Sequence, residues 1–277
     1  VTFSKEEFSR RTALTRRLFC GIQKEGSFFF HVSEEEKMKR FFSIFAIACL
    51  VFFLAAGGVQ GKDSRFLTST EGAYLKWGTP HRGTPAEVSV ALVREDTLRV
   101  GSNIVNCERV GPLTPIFERS GIAPEAFRSA LSTALATWER ASGITFRLID
   151  DPHDAQIVVG AQLVPKDIAF ADVVHRSPIA GSAGVVSLKS AAVCLNPEKQ
   201  WTLMPQSSET QGPFQLAYVL IHEIGHTIGL DHPRPSGTIM GYRYVPEQIF
   251  TQEDALNAQE LYGFPLSSTV GVTHKTR

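Results

Sequence analysis

The chain has 277 residues, 43% of them hydrophobic and 20% charged, with a formal net charge of +0. That length holds one sizeable domain or two small ones. The neutral balance excludes a global field for nucleic acid, so recognition must come from a local site, and the lack of a repeat period excludes a solenoid or propeller.

The first elements in chain order are not ordinary fold. Lys37, Lys39 and Arg40 precede an apolar run over 41–56, and Gly57, Gly58 and Gly61 follow. A basic stretch, an apolar run and small residues, in that order, are the pattern of a secretory signal. The run is short of the roughly 20 residues that span a bilayer. Residues 38–61 are therefore expected to be a signal peptide starting at Met38 and cut after Gly61 or Gly58. Residues 1–37 read as non-native upstream sequence or as a disordered extension, and 62–71 as a short linker. The expected protein is secreted, extracellular or periplasmic, with no stable membrane association after cleavage; retention of the apolar segment is the alternative. Of the four cysteines, Cys20 and Cys49 fall in these segments. Cys107 and Cys194 remain as an even pair bound for an oxidising compartment, either a disulfide or two buried thiols.

Ordered structure is expected to open at 73–78, followed by a strand over 84–93 with Val88, Val90 and Leu92 on one face. Residues 96–115 read as loop. Pro124 and Glu125 start a helix whose apolar stripe is Phe127, Ala130, Leu131, Ala134, Leu135 and Trp138, and Gly143 stands where a left-handed C′ residue would end it. Strands are expected over 144–149, 157–160, 185–188 and 192–195. A helix covers 214–228 and stops at Gly229. The last helix runs from Thr251 as N-cap to Tyr262, closed by Gly263 and Pro265, and 266–277 reads as a flexible tail. The fold class is α+β: a twisted, mostly parallel sheet with two long helices and a small C-terminal helical subdomain, the domain filling 72–265.

The chemistry lies in residues 222–232. His222 and His226 are four apart on a helix, so they offer two imidazoles from one face to one metal. A continuing helix would carry a third ligand away, and Gly229 allows the positive-φ turn that returns His232. Three neutral imidazoles leave a zinc ion its double charge and an open position for water. Glu223 is too close to the first ligand to bind alongside it and is placed to act on that water as general base, then to protonate the leaving amine.

His222, Glu223, His226, Gly229 and His232 resemble the extended zinc motif of the metzincins, and Met240 is similar to the methionine of their Met-turn. Residues 130–146, 154–160 and 251–263 resemble the first helix and second strand, the third strand and the last helix of matrixins, the peptidase M10 type. The likeness covers about 72–265 and is closest to bacterial matrixin-like proteins. It implies a metzincin catalytic domain with a twisted five-stranded sheet, one catalytic zinc at the floor of a horizontal cleft, and cleavage of extended peptides. It implies for Met240 a packing floor beneath the ligands. Tyr242 stands where matrixins usually have Pro and is similar to the astacin and serralysin tyrosine, which implies an oxyanion or fifth-ligand role; a packed surface aromatic is the alternative. The segment that binds a structural zinc in vertebrate matrixins does not recur, although His153 and His175 fall nearby, and Asp167 and Asp172 are candidate calcium ligands. Tyr242, Tyr244 and Pro246 are expected to wall the specificity pocket, and Trp201 to frame the cleft. The expected function is that of a secreted zinc endopeptidase, a monomer acting on proteins or peptides without nucleic acid. The alternative is a non-catalytic zinc-containing binding module on the same fold.

Overall fold

Helical structure begins at a proline in the first two helical positions. Helix α1 (Thr114–Ser120) and helix α2 (Pro124–Ala141) both start this way, using a residue that lacks the N–H which the first turn leaves unpaired. Phe127, Leu131, Ala134, Leu135 and Trp138 of α2 are buried. The computed structural model describes residues 65–101, 105–178, 184–205, 213–234, 237–245 and 248–266. The expected signal peptide, the segment before it and nearly all of the expected tail lie outside the described residues, as do Pro246 and most of 203–213.

The sheet contains β1 (Tyr74–Lys76), β2 (Ala86–Leu92), β3 (Leu98–Arg99), β4 (Arg109–Gly111), β5 (Ile144–Leu148), β6 (Ile157–Gln162), β7 (Ala169–His175) and β8 (Val185–Leu195). Its main path runs β1-β8-β6-β2-β5, all parallel; β7 joins β8 and β4 joins β6, both antiparallel. Strand β6 is buried at every position, as a parallel strand covered on both faces must be. Two further short strands, β9 (Trp201–Thr202) and β10 (Phe214–Gln215), pair with each other. Helices α3 (Leu216–Thr227) and α4 (Gln252–Tyr262) complete the order, and the architecture is the α+β class expected. No helix among the described residues is long and apolar enough to cross a membrane.

On one face of the sheet α2 and α3 build the main core. A second cluster of Val93, Cys107, Val110, Val158, Ala192 and Cys194 is separate from it. Cys107 and Cys194 form a disulfide with Cα atoms 5.8 Å apart, which ties the segment before β4 to β8. Asp172 of β7 holds the same segment, accepting from the backbone N–H groups of Asn106 and Cys107, both at 2.7 Å.

Several expectations need correction. The two strands read at 185–188 and 192–195 are one strand of 11 residues; the exposed Lys189 interrupts the apolar run without interrupting the ladder. Strand β7 and the β3–β4 pair went unread, and α1 begins inside the stretch taken as loop. Gly143 is not left-handed. Ser142, with φ −150, caps α2 through its N–H to Trp138 O, and a Cβ on Gly143 would collide with Tyr262 O and sit 3.0 Å from Phe264 O. Trp201 is a core residue, 2% exposed, with its indole N–H on Asn196 O at 3.1 Å, so it does not frame a cleft. The ordered fold also starts earlier than residue 72: Phe66 bridges Leu230, and Leu67 N donates to Gly229 O at 2.8 Å.

Candidate metal centre

Helix α3 has the sequence LAYVLIHEIGHT, apolar at most positions because neighbours enclose it. Trp138 of α2 donates its indole N–H to Ile221 O at 2.9 Å. Gly225 lies between the two α3 histidines, and a Cβ there would strike Met240 Sδ and come within 2.8 Å of Trp138 Cζ2. Met240, 2% exposed, thus fills the space beneath the histidine turn, where its polarizable thioether suits an irregular gap.

The chain leaves the helix at Gly229, whose φ of +100 permits the reversal and whose missing side chain clears Leu75 O. Leu230 N reaches back to Gly225 O at 3.1 Å, and Asp231 N donates to Arg65 O at 2.9 Å. The reversal brings His232 to the other two histidines. His226 Nε2 lies 3.1 Å from His222 Nε2 and 3.2 Å from His232 Nε2. Among the described residues this is the one cluster of three ligand side chains.

Tautomers follow from the far side of each ring. His222 Nδ1 faces Ile239 O at 2.7 Å and His226 Nδ1 faces Leu230 O at 2.8 Å. Carbonyl oxygens only accept, so each Nδ1 carries the proton and each Nε2 presents a lone pair. Burial pushes His222 down to about 4, and burial with the neighbouring imidazoles pushes His226 well below its ordinary value, so both rings are neutral. Asp231 accepts from His232 N at 2.8 Å, and its Oδ1 lies 3.5 Å from His232 Nδ1. Burial opposes ionisation of Asp231, but the hydrogen bonds from His232 outweigh it and leave the carboxyl below its ordinary value. Lone pairs facing one another at this range repel unless a cation sits among them. Tetrahedral zinc with nitrogens at about 2.0–2.1 Å would hold them about 3.3 Å apart. The donor set fits zinc.

Glu223 follows the first histidine and is 7% exposed. Burial, and then the charge of Asp172, push its carboxyl up to about 8; a divalent cation beside it acts in the opposite sense. Tyr242 is exposed, its ring edge-on to His232 at 5.1 Å. Tyr244 packs against Phe214 and Tyr218 at 5.2 and 4.9 Å, and its hydroxyl accepts from Gln215 N at 3.0 Å. Tyr218 lies four residues before His222, on the same face of α3. Its hydroxyl bonds Gln248 Oε1 at 3.1 Å, and burial pushes its pKa up to about 12.

The other candidate ligands are not brought together. Asp172 is engaged by the Asn106 and Cys107 amides. Asp167 sits at a positive-φ turn with its carbonyl bonded to Asn196. His153 and His175 belong to no cluster of three among the described residues.

Three imidazoles on a helix and the turn that ends it form a group that could hold one metal ion. The matrixin family profile, peptidase M10, matches residues 116–263, just over half of the chain, and the chain belongs to this family of zinc-dependent metallopeptidases. It is 27% identical over 162 residues to matrix metalloproteinase-25 of Mus musculus, covering 53% of this chain and 25% of that protein. It is 26% identical over 151 residues to matrix metalloproteinase-16 of Rattus norvegicus, covering 50% and 24%. With matrix metalloproteinase-23 of Mus musculus the identity is 24% over 155 residues, covering 53% and 40%. The chain spans about a quarter to two-fifths of the length of these curated relatives.

Proposed function

We propose that the chain is a secreted, monomeric zinc endopeptidase of the bacterial matrixin-like type, with the ion held by His222, His226 and His232 and with Glu223 as general base. The observation that carries the reading is the convergence of three imidazole Nε2 atoms, with the opposite ring nitrogens of His222 and His226 committed to backbone carbonyls. Zinc bound there supplies a Lewis acid that polarises the scissile carbonyl and acidifies the attacking water.

This chain's own residues do the rest. Glu223 takes the proton of the attacking water and releases it to the departing amine; its buried setting favours the protonated form once the water has attacked. Strand β7 pairs only with β8 among the described residues, so its outer edge can take an extended peptide as an added strand. Tyr242, beside His232, is assigned to stabilising the oxyanion. A Tyr242→Phe variant should lose about 10²-fold in kcat with zinc content unchanged, and equal turnover removes the role.

The test is digestion of casein and a peptide library by the mature protein, with a chelator control and a Glu223→Ala variant. Cleavage that chelation stops, zinc restores and the variant lacks is the expected result. Activity surviving in the variant overturns the mechanism. Zinc binding without cleavage of any substrate favours a binding module instead.

A further inference from the structure

A cavity of about 560 Å³ opens where the end of β2 meets α1 and the start of α2. Leu92, Val93, Leu113, Phe117 and Pro124 form its apolar wall, and none of its lining residues comes from α3 or from the turn that carries His232. The wall is fixed by its neighbours. Leu113 N donates to Val93 O at 3.2 Å and Val93 N to Val159 O at 2.9 Å, while the Phe117 ring meets Phe127 edge-on at 5.5 Å. Small-ligand pockets have this size and combine a mostly apolar lining with a few placed polar groups.

Here the polar groups are mainly charged. Arg94, Glu125 and Arg128 line the same cavity, so two guanidiniums stand against one carboxylate and leave a single net positive charge. Arg94 Nη2 lies 3.5 Å from Asp150 Oδ1, and Arg128 Nη1 lies 3.9 Å from the same oxygen. Both distances exceed that of a charge-assisted hydrogen bond, and the Asp150 side chain is 86% exposed. Two guanidiniums, one after β2 and one on α2, thus bracket one carboxylate position whose present occupant is held loosely at the surface.

We propose that this cavity binds a single-chain carboxylate amphiphile of the fatty-acid class, with its tail against Leu92, Leu113 and Phe117 and its carboxylate between Arg94 and Arg128 in place of Asp150. One net positive charge matches a monoanion, whereas a phosphate dianion would leave charge uncompensated beside Glu125. A peptide would bring amide groups against a lining whose one uncharged polar side chain is Thr114, and unpaired amides are costly there. An aliphatic tail makes no such demand and gains with each methylene buried. The site is separate from the histidine cluster and does not depend on the zinc reading.

The test is calorimetric titration of the full chain with decanoate below its micelle concentration, before and after chelation of metal. One saturable site of equal affinity in both states is expected, with hexanoate and decanol each at least about 10-fold weaker. The Arg94→Gln, Arg128→Gln double variant should weaken decanoate at least about 10-fold. Thr114→Trp, at an exposed lining position, should block the site by bulk. Asp150→Asn should instead tighten decanoate severalfold, because it removes the competing carboxylate. Absence of saturable binding, equal binding of decanol, or loss of binding on chelation overturns the proposal in the parent chain, without any variant. Unchanged affinity in the arginine variant or in Asp150→Asn overturns it as well. Inorganic phosphate or an apolar peptide with a free carboxyl end binding more tightly than decanoate overturns it in favour of that ligand.

Discussion

Glu223 and Lys76 are both buried ionisable groups, and their surroundings set them to different tasks. Glu223 directly follows His222 on α3 and is 7% exposed; because it is the proposed general base, Glu223→Gln is expected to lower kcat by about 10²- to 10⁴-fold. Zinc content by elemental analysis should not change. Lys76 is far plainer: its Nζ donates to Trp77 O at 2.7 Å, Thr79 O at 2.9 Å and Thr84 Oγ1 at 3.1 Å, and lies 4.9 Å over the Tyr262 ring. These partners are neutral, and burial pushes the lysine down from 10.5 to about 8. Between those values the unfolded chain holds more protons than the folded one, so this group makes stability rise with pH. The gain is absent below about pH 8. Tyr262, pushed up by burial, acts in the opposite direction above about pH 10, where its unfolded phenol ionises. Denaturant titrations from pH 7.5 to 10 should show the rise in the parent and not in Lys76→Met. None of this was legible beforehand, because a lysine between two apolar residues in β1 looks like an exposed edge position until the loop at 79–84 is folded over it.

The elements that sequence reading recovered were those whose signal is local. Helix α2 has its stripe, α4 has Thr251 and Gly263 at its ends, and α3 has two histidines at a spacing only a helix makes useful. Strand β7 has no such signature: it is half-buried throughout and exists because β8 offers it a ladder. The β3–β4 pair depends similarly on β6 and on the disulfide. Two substitutions probe these junctions. Gly229→Ala places a Cβ at a φ of +100 and against Leu75 O, and should cost about 2–4 kcal/mol by denaturant unfolding, with weaker zinc binding because His232 is displaced. Cys107→Ser opens a cross-link spanning 87 residues. It should cost about 2–5 kcal/mol, while the histidine cluster, built on α3 and its turn, still binds zinc.

At the scale of the whole molecule, ligand binding and folding are linked. Zinc at a thousand times its dissociation constant would add about 4 kcal/mol to stability. Chelation should therefore lower the melting temperature while far-ultraviolet circular dichroism stays native, because the disulfide and the two cores do not involve the ion. Full unfolding on chelation alone would contradict the division between sheet and site described above. The segment at 65–69 shows where sequence reading placed the edge of the domain too late. Arg65 O and Leu67 N clasp both sides of the Gly229 turn, and Arg65 also reaches Asn257 and Glu260 on α4. Any enzyme that trims this protein from its amino end therefore has a natural stopping line. A product beginning at Arg65 keeps the clasp, whereas one beginning at residue 72 loses it and should bind zinc more weakly. The position of the amino end would then set how firmly the turn that carries His232 is held.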